Sequence, residues 1–488
     1  MSSYGDNSIR KIGYVILAIL FLSDLAYSFR QHYATPLDGD VVESVLPLPE
    51  FEKVLESPLG LNAILDQESY PNPNRFFMHW PMKQFLGNMP IFLQNFFDPI
   101  QSVYMSIGIA KTSMQLIIII LLASIINGGF KLQSIDFILC CVILSALFQT
   151  HGYRVKIGII DRSITYAFSY ALPLIYLLIF YLPLFIGGVQ KKLQDQPNWI
   201  FLVMFPLGMV VCLSGPLNPA IVLVTTMLIV MSQLMSIPRK GFKLWFHNLL
   251  STKNPSLKVF LLYLLPVSLF AVYSLVLGQN NSNQNLYPYS LLDSYKELPI
   301  GLFKYLTSKI AIPLLILTSL LNHYIVKTKS DDSIGSRLWS YATWFLVFSI
   351  IYIVLLPLGG YRDYRPHIIR YDTLLPITIG IFILFGSTTI STLNTVTGPK
   401  KAVYASFIVI VLSVFTISDE PKFHEHEQEM RGLYKISNSS ADTVQLDSGT
   451  TVLSWYPILK PSNSKWNAEL LYKWKIAPTP KLYYSKQE

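Results

Sequence analysis

Apolar runs of roughly 16 to 25 residues, each long enough to cross about 30 Å of hydrocarbon as a helix, recur along the first 418 positions and are separated by polar breaks. They fall near 11–29, 103–127, 133–150, 163–188, 198–214, 217–237, 258–277, 309–327, 338–358, 373–393 and 402–418. The pattern predicts an all-α polytopic membrane protein of about 11 transmembrane helices. The 133–150 run is short, and 198–237 is nearly continuous apolar sequence broken only at "SGPLNP". Between the first two runs, segment 30–102 contains "NPNRFFMHWPMKQFLGNMPIFLQNFFDP", bulky apolar residues mixed with polar ones and interrupted by Pro81 and Pro90. That mixture predicts short amphipathic helices lying in the interface. "KGFKLWFHNLLSTKN" predicts another on the opposite face, with Trp245, Phe246 and Leu249 against Lys240, Lys243 and Lys253.

The remaining 419–488 is polar, opens with "SDEPKFHEHEQEMRGLY" and continues through the β-leaning "DTVQLDSGTTVLSWYPIL". It is too short for a substantial core of its own, so a small C-terminal α/β appendage on a 1–418 transmembrane domain is expected. "HEHE", His424 to Glu427, has no matching ligand set nearby for a metal and suits a strand face or an exposed helix end.

Composition moves the chain out of the soluble class. Of 488 residues, 52% are hydrophobic and only 14% charged, with mean hydropathy +0.42. The formal charge of +9 is dispersed between apolar runs, with no basic block to track a phosphate backbone, so nucleic acid is excluded as a partner. Cys140, Cys141 and Cys212 lie inside apolar runs and build neither a disulfide framework nor a thiolate metal site. The first run has a basic flank but no small-residue cleavage site after it, and reads as a retained span.

Alternate loops carry the lysines and arginines, among them Arg10, Lys11, Lys131, Lys191, Lys192, Lys327, Lys329, Arg337, Lys400 and Lys401. Cationic loops resist translocation, so the N-terminus is expected inside and the tail outside. Six cations break the rule on the outer side: Arg154, Lys156, Arg162, Arg362, Arg365 and Arg370. Snorkelling to headgroups accounts for any one of them; their concentration in two short loops points to a bound anion. Arginine there makes bidentate bonds to phosphate oxygens, at the depth of a lipid-linked phosphate. His151 and His367 flank these loops, and Lys111 is expected to snorkel from the outer end of the second span.

Acid is placed just as selectively. "HYATPLDGDVVESVLPLPEF" brings Asp38, Asp40 and Glu43 together a few residues after the first span. Asp38 and Asp40, two apart, point the same way in extended backbone, and one ionised carboxylate of such a pair serves as a general base. "LDGD" is equally good chemistry for a solvated Asx turn. An Asp-x-Asp pair beside a phosphate also recruits a divalent metal, Mg or Mn, making Asp38 and Asp40 candidate metal ligands. His79 and Trp80 could line a sugar site, although interfacial anchoring also explains the tryptophan. Asp24 is an intramembrane acid, suited to function or to a hydrogen bond within the bundle.

In its many spans, early acidic outer loop, interfacial helices and outer C-terminal region, the chain resembles the GT-C superfamily of integral membrane glycosyltransferases. At motif level the likeness rests on "LDGDVVES" and on "YRPHIIRYDTLLP". The resemblance implies inverting transfer of a sugar from a polyprenyl-phosphate-linked donor to a lipid or glycan acceptor, at the outer face of a bacterial inner membrane. It puts the base on Asp40, with Asp38 the second candidate, and makes Arg370 and Tyr371 contacts to donor phosphate or sugar. The outer-loop charge adds Arg154, Arg162, Arg362 and Arg365 for the donor phosphate, and Glu43, His79, Trp80 and His367 are further expected substrate contacts. The adjacent Asp-Glu pair of several such families is absent. An O-antigen-type polymerase or ligase would share the arginine-rich loops without needing the early acids. A transporter or flippase would place ionisable groups deep in the spans, where this chain has few.

Overall fold

A computed structural model describes residues 2–148, 158–187, 198–236, 260–282, 290–307, 310–329, 332–359 and 369–487. The cytoplasmic-side interfacial segment expected near 240–253, and Arg154, Lys156, His151, Arg362, Arg365 and His367, lie outside these residues.

Among the described residues, eight helices are long and apolar enough to cross a membrane: Arg10–Tyr33, Pro99–Ile126, Ile164–Ile186, Leu262–Gln279, Ala311–Lys329, Ser333–Gly359, Leu375–Thr395 and Pro399–Ile417. Shorter apolar helices, Ile135–Ser145, Leu202–Cys212 and Asn218–Ser232, occupy three more of the predicted runs. The chain is a helical, multi-pass membrane protein. Its outer helices carry apolar side chains outward, as Ile12, Ile16, Ile19 and Leu20 do on the first, because lipid rather than protein covers them. The helix Leu375–Thr395 is the most enclosed, 78% buried against 17% for the first, and forms the centre of the bundle.

Backbones approach closely where side chains are small. Gly380 of Leu375–Thr395 lies against the Phe345 ring, and Gly386 against Ile126. Polar clamps knit the interior: Asn322 donates to Thr389 at 3.0 Å and accepts from Tyr404 Oη at 2.7 Å. Asp24 accepts from Ser145, so this intramembrane acid is used inside the bundle. Lys111 does not snorkel; it is fully buried, and its Nζ donates to the carbonyl of Arg162 at 2.8 Å.

Loops and short helices collect on one end of the bundle. The Tyr70 amide donates to Asn280 O at 3.3 Å, the Phe77 amide donates to Leu213 O at 3.2 Å, and Tyr371 Oη donates to Asp161. Segment 30–102 holds the short helices Val41–Val45, Pro49–Glu56 and Leu61–Leu65, but the stretch with Pro81 and Pro90 is one continuous helix, Phe76–Leu93, rather than short pieces. An internal proline costs about 3 kcal/mol. Here the stripe Met78, Met82, Leu86, Pro90 and Leu93 is buried against neighbouring helices, and apolar burial at about 1.5–3 kcal/mol per side chain outweighs that cost.

The tail folds as the helix Phe423–Asn438, the strand Thr443–Leu446, the helix Lys465–Lys473 and the strand Leu482–Ser485, the two strands pairing in parallel. "HEHE" opens the helix: His424 bonds Gln428 at 3.0 Å, and His426 is buried edge-on to Tyr104. The tail has no core apart from the bundle. Leu433, Leu446, Leu471 and Trp474 belong to the same continuous apolar core as Val41 and Tyr104. Trp474 Nε1 donates to Leu86 O at 2.9 Å, which ties the tail to the interfacial helix.

Candidate functional site

The first helix ends at Tyr33, and the acidic segment then turns back into the short helix Val41–Val45. Val41, Val42 and Val45 are buried, so this helix is pinned by its apolar side and Asp40, at its N-terminus, is left exposed. Two residues earlier the reverse holds: Asp38 is buried at 4% exposure. Alternation along two residues therefore does not give two equivalent carboxylates, because Val41 and Leu37 commit the backbone to the core on both sides of the turn.

Asp38 is saturated with donors. Ser163 Oγ donates to its Oδ2 at 2.8 Å and Thr165 Oγ1 to its Oδ1 at 2.9 Å, while the Thr165 and Asp40 amides approach at 3.4 and 3.1 Å. Burial pushes its carboxyl up to about 6; the Ser163 bond pulls the other way, and the charge of Asp40 adds to the rise. With both oxygens engaged, Asp38 holds the acidic turn to Ser163 and Thr165. A metal held jointly by Asp38 and Asp40 does not fit this donor set, since hydroxyl and amide hydrogens point at the oxygens an ion would need. Among the described residues no three histidine, cysteine or acidic groups gather as ligands.

Ser163 bridges the early and late parts of the chain. Its hydroxyl holds Asp38, and its amide donates to Asp161 Oδ1 at 2.8 Å. Asp161 in turn accepts from Tyr371 Oη. Burial, and then the charge of Asp161, raise the Tyr371 phenol above its ordinary range. Arg370 is next to it, but its guanidinium is paired with Asp372, with Nε to Oδ1 at 2.9 Å. Tyr371 thus joins the chain of contacts that runs through Asp161 and Ser163 to Asp38, while the Arg370 guanidinium is taken up by its neighbour Asp372. Arg162 is exposed, and its carbonyl accepts from Lys111.

Above this network lies an open cleft of about 160 Å³ lined by Asp40, Glu43, Ser44, Phe51, His79, Met82, Thr165, Tyr166 and Ser169. Thr165 connects the layers, facing the cleft while bonding Asp38. Residues 165, 166 and 169 come from the start of a membrane helix that winds as a π-helical turn over Ala167–Ala171, an irregularity found often at functional sites. Glu43 has its carboxyl raised by burial and by the charges of Asp40 and Glu50. His79 has its imidazole lowered to about 3 by burial and by Arg75, and its Nε2 is buried without a hydrogen-bond partner among the described residues. Trp80 does not line the cleft; it is 46% exposed and stacks on Phe76.

The sequence reading passed over Asp161, Ser163, Thr165, Glu429 and Trp455. Glu429, in the tail helix, is fully buried; its Oε2 accepts from the Leu37 amide and Tyr104 Oη, both at 2.8 Å, and its Oε1 from the Leu453 amide at 3.3 Å. Trp455 Nε1 donates to Asp40 Oδ1 at 3.0 Å. Only "DRS" gave a local signal, an acid two residues before a helix-capping serine inside a basic loop.

The fold and the site together define a polytopic helical membrane protein with an acidic cleft at the loop-bearing end of its bundle. No protein-family model and no curated protein matches the chain.

Proposed function

We propose that the protein is a membrane glycosyltransferase of GT-C type that moves a sugar from a polyprenyl-phosphate-linked donor to a lipid or glycan acceptor, with Asp40 as general base. The observation that carries this reading is the division of labour between the two aspartates: Asp38 is buried and saturated, while Asp40 opens into a cleft at the head of the membrane helices. A solvent-facing carboxylate beside hydroxyl-bearing walls suits deprotonation of an acceptor hydroxyl. Arg162 is assigned to the departing phosphate, where cationic stabilisation is worth most, together with Arg154, Arg362 and Arg365 from the sequence pattern. Arg370 is left to Asp372.

Eleven passages with the N-terminus in the cytoplasm and the tail in the periplasm of a bacterial inner membrane complete the reading. Contacts at opposite ends of the bundle support the alternation: Asn394 bonds Asp136 at 3.3 Å at one end, and Asp161 binds Tyr371 at the other. The outward-lying cations follow from that orientation.

The test is sugar transfer from radiolabelled polyprenyl-phosphate donors by the purified protein. Asp40→Asn is expected to lower the rate by at least about 100-fold while the protein stays folded. Full activity in that variant would remove the base assignment. A transporter, by contrast, would move the donor across vesicles without any transfer product.

A further inference from the structure

We propose that the C-terminal tail is a working part of the cleft, in which Trp455 is a positioning residue that aims the Asp40 carboxylate; this rests on the transfer reading above and names the element that orients its base. Asp40 stands at the head of the helix Val41–Val45 and makes no side-chain capping bond there, so its own helix does not fix its rotamer. The indole N–H of Trp455, from a point 415 residues further along the chain, supplies the fixed donor. A charge-assisted bond to Oδ1 holds the carboxylate plane and leaves Oδ2 to face an acceptor hydroxyl.

The indole is itself held. Its ring centroid lies 6.2 Å from that of Tyr166, a residue of the cleft wall. It also rests on Gly39, where an added Cβ would come within 2.6 Å of Trp455 Cδ1 and 3.0 Å of Nε1. The glycine of "LDGD" is therefore required by the tail, not only by a turn. Glu429 binds the amides of Leu37 and Leu453, and Trp466 Nε1 donates to Leu46 O at 2.8 Å. These contacts bracket the acidic segment at 37, 40 and 46, so the loop that carries the base is shaped from outside by the tail.

The experiment uses the full-length protein. Trp455→Phe removes the N–H and keeps an aromatic ring; kcat for transfer is expected to fall about 10- to 100-fold, the scale of a misaimed catalytic group, with KM for donor and acceptor within about twofold. Gly39→Ala, which pushes the indole away from Asp40, is expected to lower kcat in the same way. Independently of any turnover, the indole 15N–H resonance of Trp455 should shift in Asp40→Asn. Unchanged kcat in either variant, or an indole resonance blind to Asp40→Asn, overturns the proposal. If instead Asp40→Asn retains full transfer while the resonance shifts, the contact stands and the base assignment is what fails.

Discussion

Glu429 sits where the tail meets the acidic loop, and its titration should be readable in the stability of the whole protein. Burial is the main cause that pushes its carboxyl up to about 8 from an ordinary 4.5, against three hydrogen bonds that pull it down and with the Asp38 charge adding to the rise. The unfolded chain releases this proton above about pH 4.5, whereas the folded chain keeps it until about pH 8. The folded state therefore binds more protons in that window, and stability falls as pH rises through it. At about 1.4 kcal/mol per tenfold difference in proton affinity, this one group removes about 3 kcal/mol between pH 5 and pH 8. Glu429→Gln cannot ionise. Its amide oxygen still serves Leu37 and Tyr104, but its NH2 faces the Leu453 amide, a loss of about 1–3 kcal/mol that does not depend on pH. The variant should be the less stable protein at pH 5 and equal or better at pH 8, the difference moving by about 3 kcal/mol. Thermal unfolding of both proteins in detergent across this range measures the difference, and the other titrating groups cancel in it. Hydrogen exchange at the Leu37 and Leu453 amides localises it. Parallel curves for variant and wild type would refute the argument, because they would mean that Glu429 ionises in the folded protein as it does in the unfolded one.

Asp38→Asn should cost about 1–3 kcal/mol of stability, since one of its oxygens becomes an NH2 facing a backbone amide and a hydroxyl that both donated to it; a large loss of turnover in a protein of unchanged stability would contradict the structural role. His79, held neutral by burial, should contribute nothing to the pH profile of transfer, so His79→Gln is expected to leave the acid limb where it was; a displaced limb would show that the imidazole titrates. Gly380→Ala drives a methyl into the Phe345 ring and should destabilise by about 1–3 kcal/mol, while Gly386→Ala meets only the end of the Ile126 side chain and should cost less. Equal melting temperatures for those two variants would count against the close packing around Leu375–Thr395.

How much of this was legible beforehand differs from element to element. Eight of the eleven apolar runs return as helices long enough to span, because crossing hydrocarbon imposes a length and a composition that local sequence must carry by itself. The same local logic located the acidic loop and the apolar run near 163–188, but not the π-helical turn within it. It failed at Pro81 and Pro90, where burial of a stripe on Phe76–Leu93 decides against propensity. It failed again at Lys111, which position alone would send to the headgroups and which instead binds the Arg162 carbonyl.

The site shows the division most clearly. Sequence spacing supplied Asp38 and Asp40 as a pair, and it could do no more, since which of them is buried depends on Ser163 and Thr165, more than a hundred positions away. Arg370 pairs with Asp372 and Tyr371 with Asp161, and no one-dimensional pattern states which acid an arginine or a tyrosine will choose. The tail's hold on the loop, through Glu429, Trp455 and Trp466, joins residues separated by nearly the whole chain. Solvation by lipid is a property of each segment and is written into it; the pairing of buried polar groups is a property of the assembled bundle, because a donor has no acceptor until the fold brings one to it.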